Sequence, residues 1–264
     1  MSTMRKNIYL EFGNEYDLDT RLRLIKDIGF DGIFIWQDEQ EDRIQQIVEK
    51  AQLCGLDIET MHLRFDGCNH LWLDDEMGED YVATIIDGIH MAHRYHIRTV
   101  IMHTVSKKIH PDVNELGLRR IQTILRVCET YHIQLALENT RDLEYIDEVF
   151  NRISSPYLKM CFDSGHTHAF TYCLQDVVFE KYASKLACVH LHDNLGDYDA
   201  HLVPFSGTVD FQLIMNSLKS IGFCGPLTSE AHIGKEEVID DQTFLEKVYA
   251  ALCQLEILYG EQCG

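Results

Sequence analysis

Proline is scarce, with 4 residues in 264, and no Pro- or Gly-rich linker divides the chain. That composition excludes a collagenous or low-complexity protein and gives no sign of a second domain. Long apolar runs are missing as well. None approaches the roughly 20 residues that a bilayer-spanning helix needs. The opening Met-Ser-Thr-Met-Arg-Lys leads straight into a strand-like segment without a signal-peptide core. Basic residues are few: 23 Lys and Arg against 43 Asp and Glu give a formal net charge of -20. Such a surface repels phosphate backbones and anionic membranes, so nucleic acid is a disfavoured partner and no membrane is expected. No C-x-x-C pair occurs among the 9 cysteines, which removes the common zinc and redox spacings. Their odd number suggests free thiols in a reducing, cytoplasmic compartment. Cys161 and Cys188 lie in apolar runs, where a thiol acts as a small hydrophobe. Phosphate-cradling glycine loops are absent too. Glu11-Phe12-Gly13-Asn14 is not G-x-G-x-x-G, and no G-x-x-x-x-G-K-[ST] occurs.

What is present is an ordinary globular balance of 45% hydrophobic and 25% charged residues, enough for a full-sized core. Short β-rich runs alternate with longer amphipathic stretches. The expected strands are Asn7–Phe12, Asp31–Trp36, Leu56–Leu63, Thr99–Thr104, Ile133–Asn139, Leu158–Asp163, Leu186–Asp193 and Gly225–Ala231. Most are continuous apolar runs, as in parallel strands buried on both faces. Helices are expected near 17–28, 39–54, 77–96, 112–131, 142–153, 173–184, 209–221 and 236–258. Asp17 and Asp112 are the expected N-caps of two of them. Gly29, Gly55 and Gly222 should each end a helix before the next strand. Eight units of about 33 residues fit the length of a βαβ repeat. The sequence therefore predicts an α/β fold, a closed (β/α)8 TIM barrel forming one domain over residues 1–264, in preference to an open doubly wound sheet.

In such a barrel the strand ends line one mouth. Strand 3 ends at His62, strand 4 at His103, strand 5 at Glu138-Asn139 and strand 6 at Asp163, with His166 just beyond. Strand 7 carries His190 and His192, its loop carries Asp199 and His201, and strand 8 ends at Glu230. Each residue alone has an ordinary explanation. Six consecutive strands delivering His, Asp or Glu to one end do not, because crowded carboxylates and imidazoles need a cation. The mixed oxygen and nitrogen set, without cysteine, suits Zn or Mn. Of His190 and His192 on strand 7, only one is expected to face the site. His168 is read as a neighbour. His90, His93, His96 and His132 fall in helical segments outside the barrel and receive no role.

Several motifs carry a resemblance over essentially the whole chain. They are Leu-Glu-Asn at 137–139, Phe-Asp-Ser-Gly-His at 162–166 and His-Leu-His-Asp-Asn at 190–194. Asp199-x-His201, Phe-Ser-Gly-Thr at 205–208 with Asp210-Phe211, and Ser-Glu-Ala at 229–231 extend it. The chain resembles the xylose isomerase-like TIM barrels, which include sugar and sugar-phosphate isomerases and epimerases and the class II AP endonucleases. The resemblance implies one divalent metal held by Glu138, Asp163, His190 and Glu230, with both glutamates as acid and base. His190 is chosen over His192 because the family's strand-7 ligand precedes an acidic residue by three positions, here Asp193. The endonuclease pattern adds His62, His103, His166, Asp199 and His201, for up to three metals.

Two mechanisms follow. The first is a metal-dependent isomerase or epimerase of a sugar or sugar phosphate, which abstracts a proton beside a chelated carbonyl. His166 would orient a substrate hydroxyl. Arg64 and Lys107, with Lys108, Arg141 and Lys235, could grip a phosphate or carboxylate. The second is a zinc-dependent phosphodiesterase of the class II AP endonuclease type. A dehydratase or lyase, and a barrel that binds metal without chemistry, are further readings. The resemblance allows a homodimer or homotetramer without choosing between them.

Overall fold

The computed structural model describes residues 3–13, 15–38, 40–171, 179–234 and 238–260. The strands are β1 (Lys6–Tyr9), β2 (Gly32–Trp36), β3 (Asp57–His62), β4 (Thr99–Met102), β5 (Gln134–Glu138), β6 (Leu158–Asp163), β7 (Leu186–His190) and β8 (Leu227–Ser229). All pair in parallel in the order β7-β6-β5-β4-β3-β2-β1-β8. Between β7 and β8 the ring closes through a single bridge, Leu191 with Ser229. The Leu191 amide donates to Thr228 O at 2.8 Å, and Leu191 O accepts from Glu230 N at 3.3 Å. The expected (β/α)8 barrel is what forms.

Alternation along the strands separates two cores. Outward residues such as Ile8, Ile33, Val100, Leu135, Met160 and Val189 join the helices in one large apolar layer. Inward residues form a much smaller cluster of Ile101, Ala136, Cys161 and Cys188. Each of these four stands two positions before His103, Glu138, Asp163 or His190, so it lies on the same face of its strand. Three of the four are small, which leaves room above them for imidazoles and carboxylates. Below, Glu59 on β3 accepts hydrogen bonds from Asn7 Nδ2 at 2.8 Å and from Thr228 Oγ1, tying β1, β3 and β8 together.

The helices are α1 (Leu18–Ile28), α2 (Glu41–Leu53), α3 (Glu76–Arg94), α4 (Glu115–Tyr131), α5 (Glu144–Arg152), α6 (Ser164–His166), α7 (Phe179–Tyr182), α8 (Phe211–Ser220) and α9 (Asp241–Tyr259). Side chains of Asp17, Asp75, Asn114, Asp210 and Asp240 cap five of them at the N-terminus. Asp112 is not a cap, contrary to expectation. The chain stays extended two residues longer, and Asn114 Oδ1 accepts from Gly117 N at 3.1 Å instead. Asn114 can also donate, from Nδ2 to Trp72 O at 2.8 Å, which an aspartate could not do. Gly29 ends α1 in the left-handed region at φ 119°, a conformation that favours glycine. β6 has the expected bounds, and most of the other strands are shorter than their apolar runs because the last residues of those runs turn into the loops at the mouth. The helix expected over 173–184 is described only as Phe179–Tyr182, and residues 172–178 lie outside the described set. Among the described residues no helix is long and apolar enough to cross a membrane.

Arg120 on α4 braces the loop between β3 and α3. Its guanidinium donates to His70 O, Leu71 O and Leu73 O and pairs with Glu79 at 2.8 Å. The cap assignment has a direct test. Asn114→Ala should lower the unfolding free energy by about 1 kcal/mol, read as an earlier urea midpoint at unchanged slope. Asp112→Ala should stay within about 0.5 kcal/mol of the parent. Equal losses in the two variants would overturn the assignment.

Candidate metal centre

The ends of β3 to β8 bring the expected residues together in two adjoining groups. In the first, Glu138 at the end of β5 is the hub. Its Oε1 lies 2.6 Å from His190 Nδ1. Its Oε2 lies 2.5 Å from His103 Nε2 and 3.2 Å from His62 Nε2. Glu230 Oε2 approaches His190 Nδ1 to 3.1 Å from the β8 side. One ligand atom from each of Glu138, Asp163, His190 and Glu230 lies within 4.8 Å of all the others.

The second group gathers around Asp199. Its Oδ2 lies 3.1 Å from His166 Nε2 and 3.0 Å from His201 Nε2. His192 Nε2 sits 3.0 Å from Asp163 Oδ2 and stacks on the His201 ring at 4.1 Å. His192, His201 and Glu230 could also share an ion. The expectation that only one of His190 and His192 faces the site is thus overturned. The two residues stand two positions apart and so share one face of the extended chain, which the Leu191 bridge to Ser229 continues past His190, and both rings reach the carboxylates. A glycine permits this: a Cβ on Gly165 would stand 1.9 Å from His192 Cε1.

Backbone carbonyls orient three of the imidazoles. His62 Nδ1 lies 2.7 Å from Leu63 O, His166 Nδ1 3.0 Å from Asn139 O, and His201 Nδ1 3.1 Å from Glu230 O. A carbonyl only accepts, so each Nδ1 carries a proton and leaves Nε2 to face the carboxylates, donating to them when protonated and free to offer a lone pair to a cation when not. Asp163 is held likewise by the His166 amide at 2.6 Å, and its own amide donates to Asn139 Oδ1 at 2.8 Å.

The electrostatics are those of a ligand cage. Burial raises the Glu138 carboxyl, but the charge on His190 and the bonds from His103, His190 and His62 outweigh it and hold the group well below the carboxylate range. Burial likewise opposes a proton on His190, yet Glu230 and Glu138 keep it well above the ordinary imidazole value. Burial disfavours protonation of His201 too, and Asp199 with Glu230 lifts it to about 9. For His103 burial prevails and lowers the value. Buried polar atoms remain without a hydrogen-bond partner, namely His190 Nε2, His192 Nδ1, Asp199 Oδ1 and Glu230 Oε2. Unpaired donors and acceptors are costly in a protein interior. Three buried carboxylates with lone-pair imidazoles fit a divalent cation, and these residues could hold one.

The cations expected to grip an anionic substituent fall in different places. Arg64 pairs with Asp66 at 3.0 Å. Lys107 is exposed and lines a separate groove with Ser106, His110 and Pro111. Arg141 stacks over Phe170 at 3.8 Å, and Phe170 stacks in turn on His166 at 5.5 Å, which places Arg141 beside the centre. Lys235 lies outside the described residues, and so do Cys173 and Cys263. Sequence reasoning passed over the aromatic wall, where Trp36 stacks on His62 at 4.1 Å and Phe34 on His190 at 4.6 Å. It also left cysteine out of the site, whereas Cys161 Sγ lies 3.7 Å from Glu138 Oε1. The two-residue step from Cys161 to Asp163 was the signal available.

The family model for xylose isomerase-like TIM barrels matches residues 22–248. The chain belongs to that family. Among solved structures, this xylose isomerase-like barrel is similar to a D-tagatose 3-epimerase-like protein, at 20% identity and a TM-score of 0.75, covering 96% of this chain and 98% of the other. It is also similar to D-psicose 3-epimerase with D-tagatose from Clostridium cellulolyticum H10, at 14% identity and TM-score 0.79, covering 98% and 100%. An IOLI protein with a bound zinc atom gives 14% identity and TM-score 0.78 over 97% and 100%. At these identities the likeness is one of fold. Among curated proteins, y4fM of Sinorhizobium fredii is 28% identical over 135 residues, which are 49% of this chain and 43% of that protein. MJ1311 of Methanocaldococcus jannaschii is 24% identical over 190 residues, or 65% and 63%.

Metal removal tests the cage. Chelation should lower the melting temperature, and zinc at about a thousandfold its dissociation constant should add about 4 kcal/mol of stability. In Glu138→Ala, differential scanning calorimetry should show the zinc response reduced to near nothing. An unchanged response in that variant would remove Glu138 from the cage.

Proposed function

We propose that this barrel is a metal-dependent isomerase or epimerase of a sugar or sugar phosphate. The observation that carries the reading is the pair of buried glutamates, Glu138 from β5 and Glu230 from β8, converging on His190 Nδ1 from separate strands. Glu138, Asp163, His190 and Glu230 would hold the ion, zinc or manganese by the donor set. A divalent cation held there supplies Lewis acidity toward a carbonyl and its neighbouring hydroxyl. The protein's own groups do the rest. One glutamate takes the proton from the carbon beside the carbonyl, and the other returns a proton. Return on the opposite face inverts that carbon, while return to the neighbouring carbon moves the carbonyl. His166, fixed through its Nδ1 by Asn139 O, offers Nε2 to a substrate hydroxyl. Trp36, half-buried and stacked on His62, gives the mouth an apolar surface against which a sugar ring could lie. Arg141 is better placed than Arg64 or Lys107 for an anionic substituent.

A second reading draws on the Asp199 group. His192, His201 and Glu230 could take another ion, as in a zinc-dependent phosphodiesterase with up to three metals. The net charge of -20 points such an activity toward a small phosphoester and away from duplex DNA.

Exchange of substrate carbon-bound hydrogen with deuterated water separates the two. Incubation with a panel of ketoses and ketose phosphates should show exchange beside the carbonyl. Glu138→Gln and Glu230→Gln should each slow it by about a hundredfold or more. Intact exchange in both variants would remove the two-glutamate mechanism. Phosphodiester cleavage without any exchange would establish the second reading in its place.

A further inference from the structure

Beneath the centre stands a pair of thiols that the proposed reaction does not use. Cys161 on β6 and Cys188 on β7 are register partners on adjacent strands. Both are buried, at 0% and 2% exposure, and both face inward with Ile101 and Ala136. Cys161 Sγ lies 3.7 Å from Glu138 Oε1, the same oxygen that meets His190 Nδ1 at 2.6 Å. One ligand atom each from Glu138, Cys161 and His190 falls within a 4.8 Å span. Metal–ligand bonds of about 2.0–2.3 Å place neighbouring tetrahedral ligands roughly 3–4 Å apart, which the sulfur-to-oxygen distance matches.

We propose that Cys161 is a sulfur ligand at the floor of the centre, joining Glu138 and His190 around a thiophilic divalent cation such as zinc or cadmium. The inference rests on the metal-centre reading above and deepens it by choosing the class of ion. A thiolate among oxygen and nitrogen donors favours zinc over manganese and magnesium. Binding breaks the S–H bond, forms a sulfur–metal bond and releases one proton to solvent, with no oxidant or reductant needed. The resulting site has a soft lower side and, in Asp163 and Glu230, a hard upper side toward the mouth.

X-ray absorption at the zinc edge tests this on chelator-stripped protein reloaded with one equivalent of zinc. Wild-type protein should show a sulfur neighbour at about 2.3 Å. Cys161→Ser and, as a second variant, Cys161→Ala should show nitrogen and oxygen only, with zinc affinity reduced by about tenfold or more. Their manganese affinity should be unchanged. Reloading with cadmium alone should give a thiolate charge-transfer absorption in wild type and in Cys224→Ser, whose thiol is exposed, but not in the Cys161 variants. Zinc held in wild type by nitrogen and oxygen alone would overturn the inference and leave the metal centre standing. A sulfur signal that survives in both Cys161 variants would also overturn it. Failure of wild type to retain any zinc, manganese or cadmium would overturn the metal centre itself.

Discussion

Everything at the mouth of this barrel is organised around one buried carboxylate. Glu138 meets imidazoles from β3, β4 and β7 within 3.2 Å. A charge removed from water is tolerated only when paired and hydrogen-bonded. Protons on the imidazoles can do the pairing, and so can a cation bound among them. The two solutions compete for the same lone pairs. In the protonated form His190 serves as counter-charge to Glu138 and Glu230 together, while its Nε2 and one oxygen of Glu230 remain without hydrogen-bond partners. A divalent ion satisfies both carboxylates and spares the imidazole its proton. The donor set therefore suits a divalent cation.

The scaffold tolerates such a centre because its apolar stabilisation lies elsewhere. The large core fills the layer between sheet and helices. In the barrel interior Ile101, Ala136, Cys161 and Cys188 form a far smaller apolar cluster. Small side chains there cost some hydrophobic burial and leave space for histidine rings two residues further on. Orientation then comes from main-chain atoms, the carbonyls of Leu63, Asn139 and Glu230, which are fixed by the strands and their exits. A ring aimed by the backbone needs no flexible partner, so the lone pairs are preorganised before any ion arrives.

The repeat, the strand runs and the polar residues at the strand ends were legible in the sequence, because periodicity and burial on both faces leave a strong pattern. What failed did so where local geometry overrides pattern. Asp112 and Asn114 are both good caps by residue type, and the choice turned on where α4 starts and on a donor to Trp72 O that only the amide supplies. His192 is the exception, because residues two apart on an extended chain share a face, and alternation rightly applied already places it beside His190. Cys161 was read as a small hydrophobe, and its neighbours in space are indeed apolar on one side. Its other side touches Glu138, a contact between strands that no single run of sequence displays. Arg141 could not be ranked above Lys107 without seeing that Phe170 carries it back toward His166.

The two groups of ligands are not independent, and this links stoichiometry to mechanism. Glu230 belongs to both, facing His190 on one side and grouped with His192 and His201 on the other. Asp163 is shared as well, between the four-ligand set and His192. With a single ion, Glu230 keeps an oxygen whose lone pairs can accept or return a proton. A second ion at His192 and His201 would take that oxygen as a ligand and lower its basicity, since a nearby cation favours the ionised carboxylate. Proton shuttling between two glutamates and a multi-metal hydrolytic centre are thus alternatives imposed by one carboxylate. A second ion at His192 and His201 would decide between them, and Asp199, which pairs with both His166 and His201 from the loop beyond β7, stands beside that position.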